Sequence, residues 1–95
     1  MVAYLIADNK ITNPEGYAAY SKLAAPTHAL YGGRVLAAGG KTERLGGDWD
    51  PRRVVIVEFE SLEKAKAWSD SPEYREAKAL RDASAEVRII VVEGR

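Results

Sequence analysis

Three stretches of the chain are apolar at most positions, a pattern typical of short strands that are buried on both faces. The pattern is strongest over Val54–Val57, because four β-branched residues in succession favour an extended backbone and leave no polar face. The strands predicted in this way are Val2–Ala7, Arg53–Phe59 and Glu86–Val92. They are the first, third and fourth strands in chain order.

A second strand is predicted over Arg34–Ala38. Gly39-Gly40 follows it, and glycines inside a strand pattern are typical of a bulge or a bend. We therefore expect this strand to resume over Lys41–Leu45 and to end at a Gly- and Asp-rich turn over Gly46–Pro51.

The first helix is predicted to begin at Asn13-Pro14-Glu15, which provides an N-cap, a proline in the first turn and an early carboxylate. Pro26 has no N–H to donate to the carbonyl four residues earlier. We therefore expect the helix to kink or restart there and to end at Gly32-Gly33.

The second helix is predicted in two pieces, each with a serine as its N-cap. Ser61 caps a piece that runs to about Trp68, and Ser71-Pro72-Glu73 begins a piece that runs to about Ala83. We therefore expect an interruption at Asp70-Ser71.

The resulting order is βαββαβ with short connections. It predicts an α+β, ferredoxin-like fold: a four-stranded antiparallel sheet with the first and third strands central and both helices on one face. The other face would be bare, although three of the strands are apolar on both sides, and soluble monomers rarely expose so large an apolar patch. We therefore expect a homodimer in which two sheets pack face to face, which is a dimeric α/β barrel.

Composition narrows the range of partners. The 95 residues suffice for a single domain over residues 1–95. Lys and Arg together number 14, and Asp and Glu together also number 14; the resulting net charge of zero disfavours a nucleic-acid partner.

With no cysteine and one histidine, we expect neither a metal site nor a cofactor. No export signal and no apolar run of about 20 residues is present, so we expect a cytoplasmic protein without membrane contact.

Several segments together resemble a family of small bacterial domains of unknown function called DUF1330, within the dimeric α/β barrel superfamily. The segments are Gly16–Tyr20, Tyr31–Arg34, Gly47–Pro51, Val57–Phe59, Ser71–Tyr74 and Leu80-Arg81. The resemblance covers nearly the whole chain. It implies a ferredoxin-like subunit and a homodimer, and it implies no particular reaction.

His28 and Arg34 are the candidate catalytic residues. His28 is the only side chain with an ordinary pKa near neutrality, so a general acid or base is first sought there; alternatively, it balances the dipole at a helix end. Arg34 follows the double glycine, where its guanidinium could hold a ligand carboxylate. Its alternative role is structural, because a buried Glu58 would need a cation, which Arg34 or Arg81 could supply.

Amphipathic aromatic residues are concentrated on the predicted helices, where they either pack in the core or line a pocket. They are Tyr17, Tyr20, Tyr31, Trp68 and Tyr74. Trp49 differs, because it lies in the Gly- and Asp-rich turn, and we expect it to fold over a dimer mate or to close a pocket. The predicted ligand-pocket residues are Tyr17, Tyr20, Trp49, Glu58, Trp68, Tyr74 and Arg81.

Three functions remain open from the residues alone. The first is a cofactor-independent enzyme or small-molecule binding protein that acts in a cleft between helix one, the sheet and the Gly39–Pro51 loop. The second is a non-catalytic homodimeric scaffold or partner-binding module. The third is a haem- or quinol-type monooxygenase, by analogy with other dimeric α/β barrels, with His28 as the sole candidate axial ligand.

Overall fold

Four antiparallel strands form one sheet in the computed structural model, which describes residues 1–95. The elements in chain order are β1 (Ala3–Ile11), α1 (Pro14–Ala24), α2 (Thr27–Leu30), β2 (Arg34–Ala38), β3 (Val54–Phe59), α3 (Leu62–Ser69), α4 (Pro72–Ser84) and β4 (Ala85–Glu93). The strand order is β2-β3-β1-β4, with β1 and β3 in the centre. The predicted ferredoxin-like topology is confirmed.

The predicted capping residues begin the three longer helices. Asn13 Oδ1 accepts a hydrogen bond from the N–H of Gly16 at 3.2 Å, and the hydroxyls of Ser61 and Ser71 cap α3 and α4 in the same way. The longest helix, α4, has 13 residues, and none of the helices could span a membrane.

Both predicted interruptions of the helical segments are present. α1 ends at Ala24, and α2 begins at Thr27, directly after Pro26. α3 ends at Ser69 and α4 begins at Pro72. Each helical segment is therefore split into two helices, which changes the direction of the chain above the sheet.

The strand predicted over Lys41–Leu45 is wrong, because β2 ends at Ala38 and residues 39–53 form no strand. The chain leaves the sheet at Gly39, whose φ of +76° is one that glycine adopts readily. Residues 41–44 have no apolar side chain to bury against the sheet, and Leu45 is 99% exposed. The bulge of β2 lies earlier than predicted, at Leu36, where the pairing with β3 shifts by one residue.

The helices cover one face of the sheet, and the core lies between the two layers. Alternate β1 residues from Ala3 to Asn9 are buried on this side, as the two-residue period of a strand requires. The core residues are Leu5, Ala7, Ala24, Val57, Phe59, Ala65, Trp68, Tyr74 and Ala77.

The opposite face of the sheet has no helix over it, and we call it the open face. Its larger apolar side chains in the three strands β1, β3 and β4 are Tyr4, Ile6, Val54, Ile56, Ile90 and Val92, which share this face because they alternate with helix-facing residues and pair across the strands. Ile90 is 62% exposed and Val92 is 47% exposed. The second apolar surface expected from the sequence is therefore present.

Candidate functional site

A cavity of about 200 Å³ lies between α1, α2 and the helix-facing side of the sheet. We call it the helix-side cavity. Its mouth lies between α1 and β2, where the lining residues Ser21, Ala25 and Ala38 are exposed. Its walls are mainly apolar, and the aromatic residues among them are Tyr17, Tyr20, Trp68 and Tyr74.

His28 lines this cavity from α2. Its ring stacks on the indole of Trp68 with centroids 4.9 Å apart, and that indole is fixed by donating a hydrogen bond to Thr27 Oγ1 at 2.9 Å. Burial lowers the pKa of His28 below its ordinary value, while the Ala25 carbonyl acts more weakly in the opposite direction. Nδ1 has no hydrogen-bond partner of good geometry. The imidazole is therefore neutral near pH 7, and one of its nitrogens carries no proton.

A second polar group of the cavity is centred on the buried hydroxyl of Tyr17. It accepts hydrogen bonds from Asn9 Nδ2 at 2.8 Å and from Arg53 Nη1 at 3.3 Å. Both lone pairs of the hydroxyl are then engaged, and its own hydrogen is left for another partner. Asn9 Oδ1 is buried and has no hydrogen-bond partner.

A third polar group joins α1 to α4. The hydroxyls of Tyr20 and Tyr74 lie 2.8 Å apart, and Arg81 Nη1 donates to Tyr74 at 3.4 Å. Burial raises the pKa of both tyrosines. These hydroxyls therefore stay protonated at neutral pH and serve as hydrogen-bond donors rather than as bases.

The helix-side cavity brings together six of the nine residues predicted from the sequence as site residues. They are Tyr17, Tyr20, His28, Trp68, Tyr74 and Arg81. Their common location follows from the crossover topology, which packs all four helices on one side of the sheet.

The other three predicted residues are Arg34 and Glu58, which lie on the open face, and Trp49, which lies beside it. Arg34 Nη2 donates to Glu58 Oε1 at 3.2 Å, and the side chain of Arg34 is 73% exposed. Arg81 is on the other side of the sheet, where it pairs with Asp82 at 2.9 Å, so it forms no common cluster with Arg34 and Glu58. Trp49 Nε1 donates to Asp8 at 3.1 Å beside the open face.

The Gly39–Pro51 loop, expected to form one wall of the cleft, contributes no side chain to the cavity. Of this part of the chain, only Ala38 and Arg53, which flank the loop, line the cavity. Asp8 holds the returning end of the loop, because its carboxylate accepts the backbone N–H of Arg52 at 2.8 Å. Burial raises the pKa of Asp8, but the hydrogen bonds from Arg52, Trp49 and Arg53 outweigh burial and lower it overall.

Asn9 and Arg53 are site residues that the sequence reasoning missed. Asn9 continues the alternation of buried positions in β1, and a polar residue at such a position was the available signal. Arg53 had no such signal, because its contact with Tyr17 depends on where the long loop rejoins the sheet. No three His, Asp or Glu side chains are grouped as they would be around a metal ion.

The topology and the cavity define the class: a small ferredoxin-like α+β domain with a partly polar pocket under its helices. The chain belongs to the family described as a domain of unknown function, DUF1330, whose model matches residues 2–95. The resemblance seen in the sequence is thereby confirmed. No curated protein matches the chain significantly.

Solved structures share the fold over nearly the whole chain. A protein of unknown function from Rhodopseudomonas palustris is 24% identical, with a TM-score of 0.79, over 99% of this chain and 82% of its own. A dimeric ferredoxin-like protein of unknown function from Jannaschia sp. is 10% identical, with a TM-score of 0.79, over 99% of this chain and all of its own. SnoaB, a cofactor-independent oxygenase from Streptomyces nogalater, is 14% identical, with a TM-score of 0.72, over 99% of this chain and 93% of its own.

Proposed function

We propose that the protein is a cofactor-independent enzyme that binds a ligand of about one aromatic ring in the helix-side cavity and moves a proton through His28. The observation that carries this proposal is that one cavity is lined by both His28 and Asn9, each of which has a buried polar atom, Nδ1 and Oδ1 respectively, without a hydrogen-bond partner. A buried polar atom without a partner costs about 1–3 kcal/mol, so two such residues on one cavity favour a role in ligand binding over a purely structural one.

The volume of the cavity supports a small ligand. Pockets for drug-sized molecules measure about 300–1,000 Å³, whereas this cavity measures about 200 Å³. An apolar cavity of about 150 Å³ holds benzene. A substituted single ring therefore fits between the aromatic walls of this cavity.

The polar groups suit proton abstraction next to a carbonyl group. The unprotonated nitrogen of His28 would accept a proton from carbon, and the electron pair of the broken C–H bond would move onto the carbonyl oxygen. The free hydroxyl hydrogen of Tyr17 would stabilise that oxygen as its negative charge develops. Apolar walls exclude water from both groups.

We propose further that the protein is a homodimer joined through its open face. The six larger apolar side chains of that face lie in paired positions on neighbouring strands and have no covering element. Solved proteins of this fold from Jannaschia sp. and Thermobifida fusca are described as dimeric. A second copy with the same apolar face is the simplest complement under two-fold symmetry.

The open face also supports the second candidate function, a non-catalytic dimeric scaffold or partner-binding module, because such a role needs the interface and no ligand. The polar groups of the cavity favour the enzyme over the scaffold. A haem- or quinol-type monooxygenase fits less well, since the only histidine stacks on Trp68 in a cavity smaller than those that take large ligands.

Ligand binding can be tested by thermal unfolding with a panel of phenol, benzyl alcohol, benzamide and benzoate. We expect at least one compound to stabilise the protein, since a ligand at 100 times its Kd adds about 2.7 kcal/mol. Ala25→Phe, at the mouth, should abolish this stabilisation. Ala29→Phe, on an exposed α2 position that does not line the cavity, should retain it. No stabilisation by any compound, or equal stabilisation of both variants, would argue against a site in this cavity.

Proton transfer can be tested by following the exchange of the benzylic protons of phenylpyruvate in D₂O by NMR. We expect the protein to accelerate exchange above the buffer rate and His28→Gln to lower the accelerated rate at least tenfold, as removal of a general base does. The variant Arg34→Gln, which is changed on the open face, should accelerate the exchange of phenylpyruvate protons as much as the unmodified protein does. Equal rates with His28→Gln would exclude His28 as the base.

A further inference from the structure

We propose that Arg53 makes the helix-side cavity selective for anions, so that its ligand is a single-ring aromatic carboxylate rather than a neutral ring compound. The proposal rests on the proposed function, because it specifies the ligand of the same cavity. It is carried by the charges that line the cavity and by the way in which Arg53 is held.

The lining of the cavity is electrostatically one-sided. It includes the cationic residues Arg53 and Arg81 together with His28, and it includes no Asp or Glu. Arg81 is compensated by Asp82 at 2.9 Å, and burial keeps His28 neutral near pH 7. Arg53 forms no ion pair. One uncompensated positive charge therefore remains at the cavity.

The guanidinium of Arg53 is held from two sides. On one side it donates to the hydroxyl of Tyr17 and lies 5.2 Å from the centre of that ring. On the other side it packs against the backbone of Gly39, where an added Cβ would lie 2.9–3.1 Å from guanidinium atoms. Gly39 is therefore favoured by its positive φ, and its lack of a side chain leaves the space that Arg53 occupies.

The backbone of Arg53 is fixed as well. Its carbonyl accepts the N–H of Asn9 at 3.0 Å, and its N–H donates to Asp8 Oδ1 at 3.2 Å. The carboxylate of Asp8 belongs to the open-face register of β1, so it holds the main chain of Arg53 without pairing with its guanidinium.

Arg53 has donors left for a ligand. A guanidinium carries five N–H groups in a planar fork, and only one of them is used, by Tyr17. A carboxylate accepts two parallel hydrogen bonds from such a fork, and the partly buried setting strengthens both. Arg34, the anion-binding candidate from the sequence, is instead paired with Glu58 and exposed on the open face.

The experiment compares the Kd of benzoate with that of benzamide, a neutral compound of nearly the same shape, by calorimetry at pH 7.5. We expect the protein to bind benzoate at least tenfold more tightly than benzamide. Arg53→Gln should raise the Kd of benzoate at least tenfold and change the Kd of benzamide less than threefold. Arg53→Lys should retain part of the preference, and the control Arg34→Gln should retain all of it.

The outcomes separate this inference from the proposed function. Equal affinity of the unmodified protein for both compounds, or an unchanged preference in a folded Arg53→Gln variant, overturns the role of Arg53 and leaves a ring-binding cavity. Failure of both compounds to bind overturns the role of Arg53 and the proposed binding site together. Thermal unfolding of each variant without ligand verifies that it is folded.

Discussion

His28 determines at the residue scale how the cavity responds to pH. Its folded-state pKa is lowered by burial, whereas the unfolded chain keeps the ordinary value of about 6.5. As the pH falls below about 6.5, the unfolded state therefore binds a proton that the folded state does not. The stabilising contribution is complete above that pH and is lost progressively until the lower, folded-state pKa is reached.

We expect the free energy of unfolding to fall between pH 7.5 and pH 5, with a slope below about 1.4 kcal/mol per pH unit, the limit for one proton. His28→Gln should flatten this part of the profile, because the chain has no other histidine. Asp8 and Glu73 have lowered pKa values and should contribute only at more acidic pH. Urea titrations at several pH values measure the slope, and identical slopes for both proteins would contradict the buried, neutral state of His28.

The candidate site was predictable from the sequence only where the residue type itself carries the information. His28 stands out as the single histidine, and the helix aromatics stand out by their spacing. Arg34 and Glu58 also stand out by type, yet they form an ion pair on the open face. Arg53 joins the cavity through tertiary contacts, which no local pattern encodes.

At the element scale, the turn between α2 and β2 positions His28 against the sheet. The N–H of Gly33 donates to the carbonyl of His28 at 2.8 Å. A Cβ on Gly33 would lie 2.7 Å from Phe59 Cε1 and 2.9 Å from that carbonyl oxygen, which is closer than the packing allows. Neither Phe59, in the core, nor the backbone can move without disturbing the cavity wall.

We therefore expect Gly33→Ala to destabilise the protein by about 1–3 kcal/mol through overpacking. Gly40→Ala is the matched control: no atom lies within 4 Å of its Cβ position, so the change should be neutral or stabilise by up to about 1 kcal/mol. Urea unfolding midpoints measure both effects. A midpoint for Gly33→Ala that matched the control would show that the turn tolerates a side chain.

Elements were predicted well where a local signal determines them. Asn13, Ser61 and Ser71 cap helices as expected, and the β-branched run of β3 lies in the centre of the sheet. The strand over Lys41–Leu45 was wrong, because Gly39 directs the chain away and the polar residues beyond it gain nothing from pairing. Whether a chain bulges or leaves a sheet depends on partners that the sequence does not display.

At the scale of the whole molecule, the two faces of the sheet have separate roles: the cavity lies on the helix side and the proposed dimer interface on the open face. Ile90 lies on the open face near the middle of the edge strand β4, paired with Ile6 of β1, which also pairs with Ile56 of β3. Under two-fold symmetry each copy contributes the same row, so one substitution changes the interface twice.

We expect Ile90→Lys to convert the dimer into a single-copy particle, with association weakened at least 100-fold, because burying an unpaired ammonium costs several kcal/mol. Leu23→Lys is the control, since Leu23 lies on α1 and is 40% exposed away from the open face. Light scattering at micromolar concentration measures the mass. A single-copy mass for the unmodified protein, or a dimer of Ile90→Lys, would contradict the interface. Ile90→Lys should still be stabilised by the ring compounds that stabilise the unmodified protein, because the helix-side cavity is lined by residues of the other face.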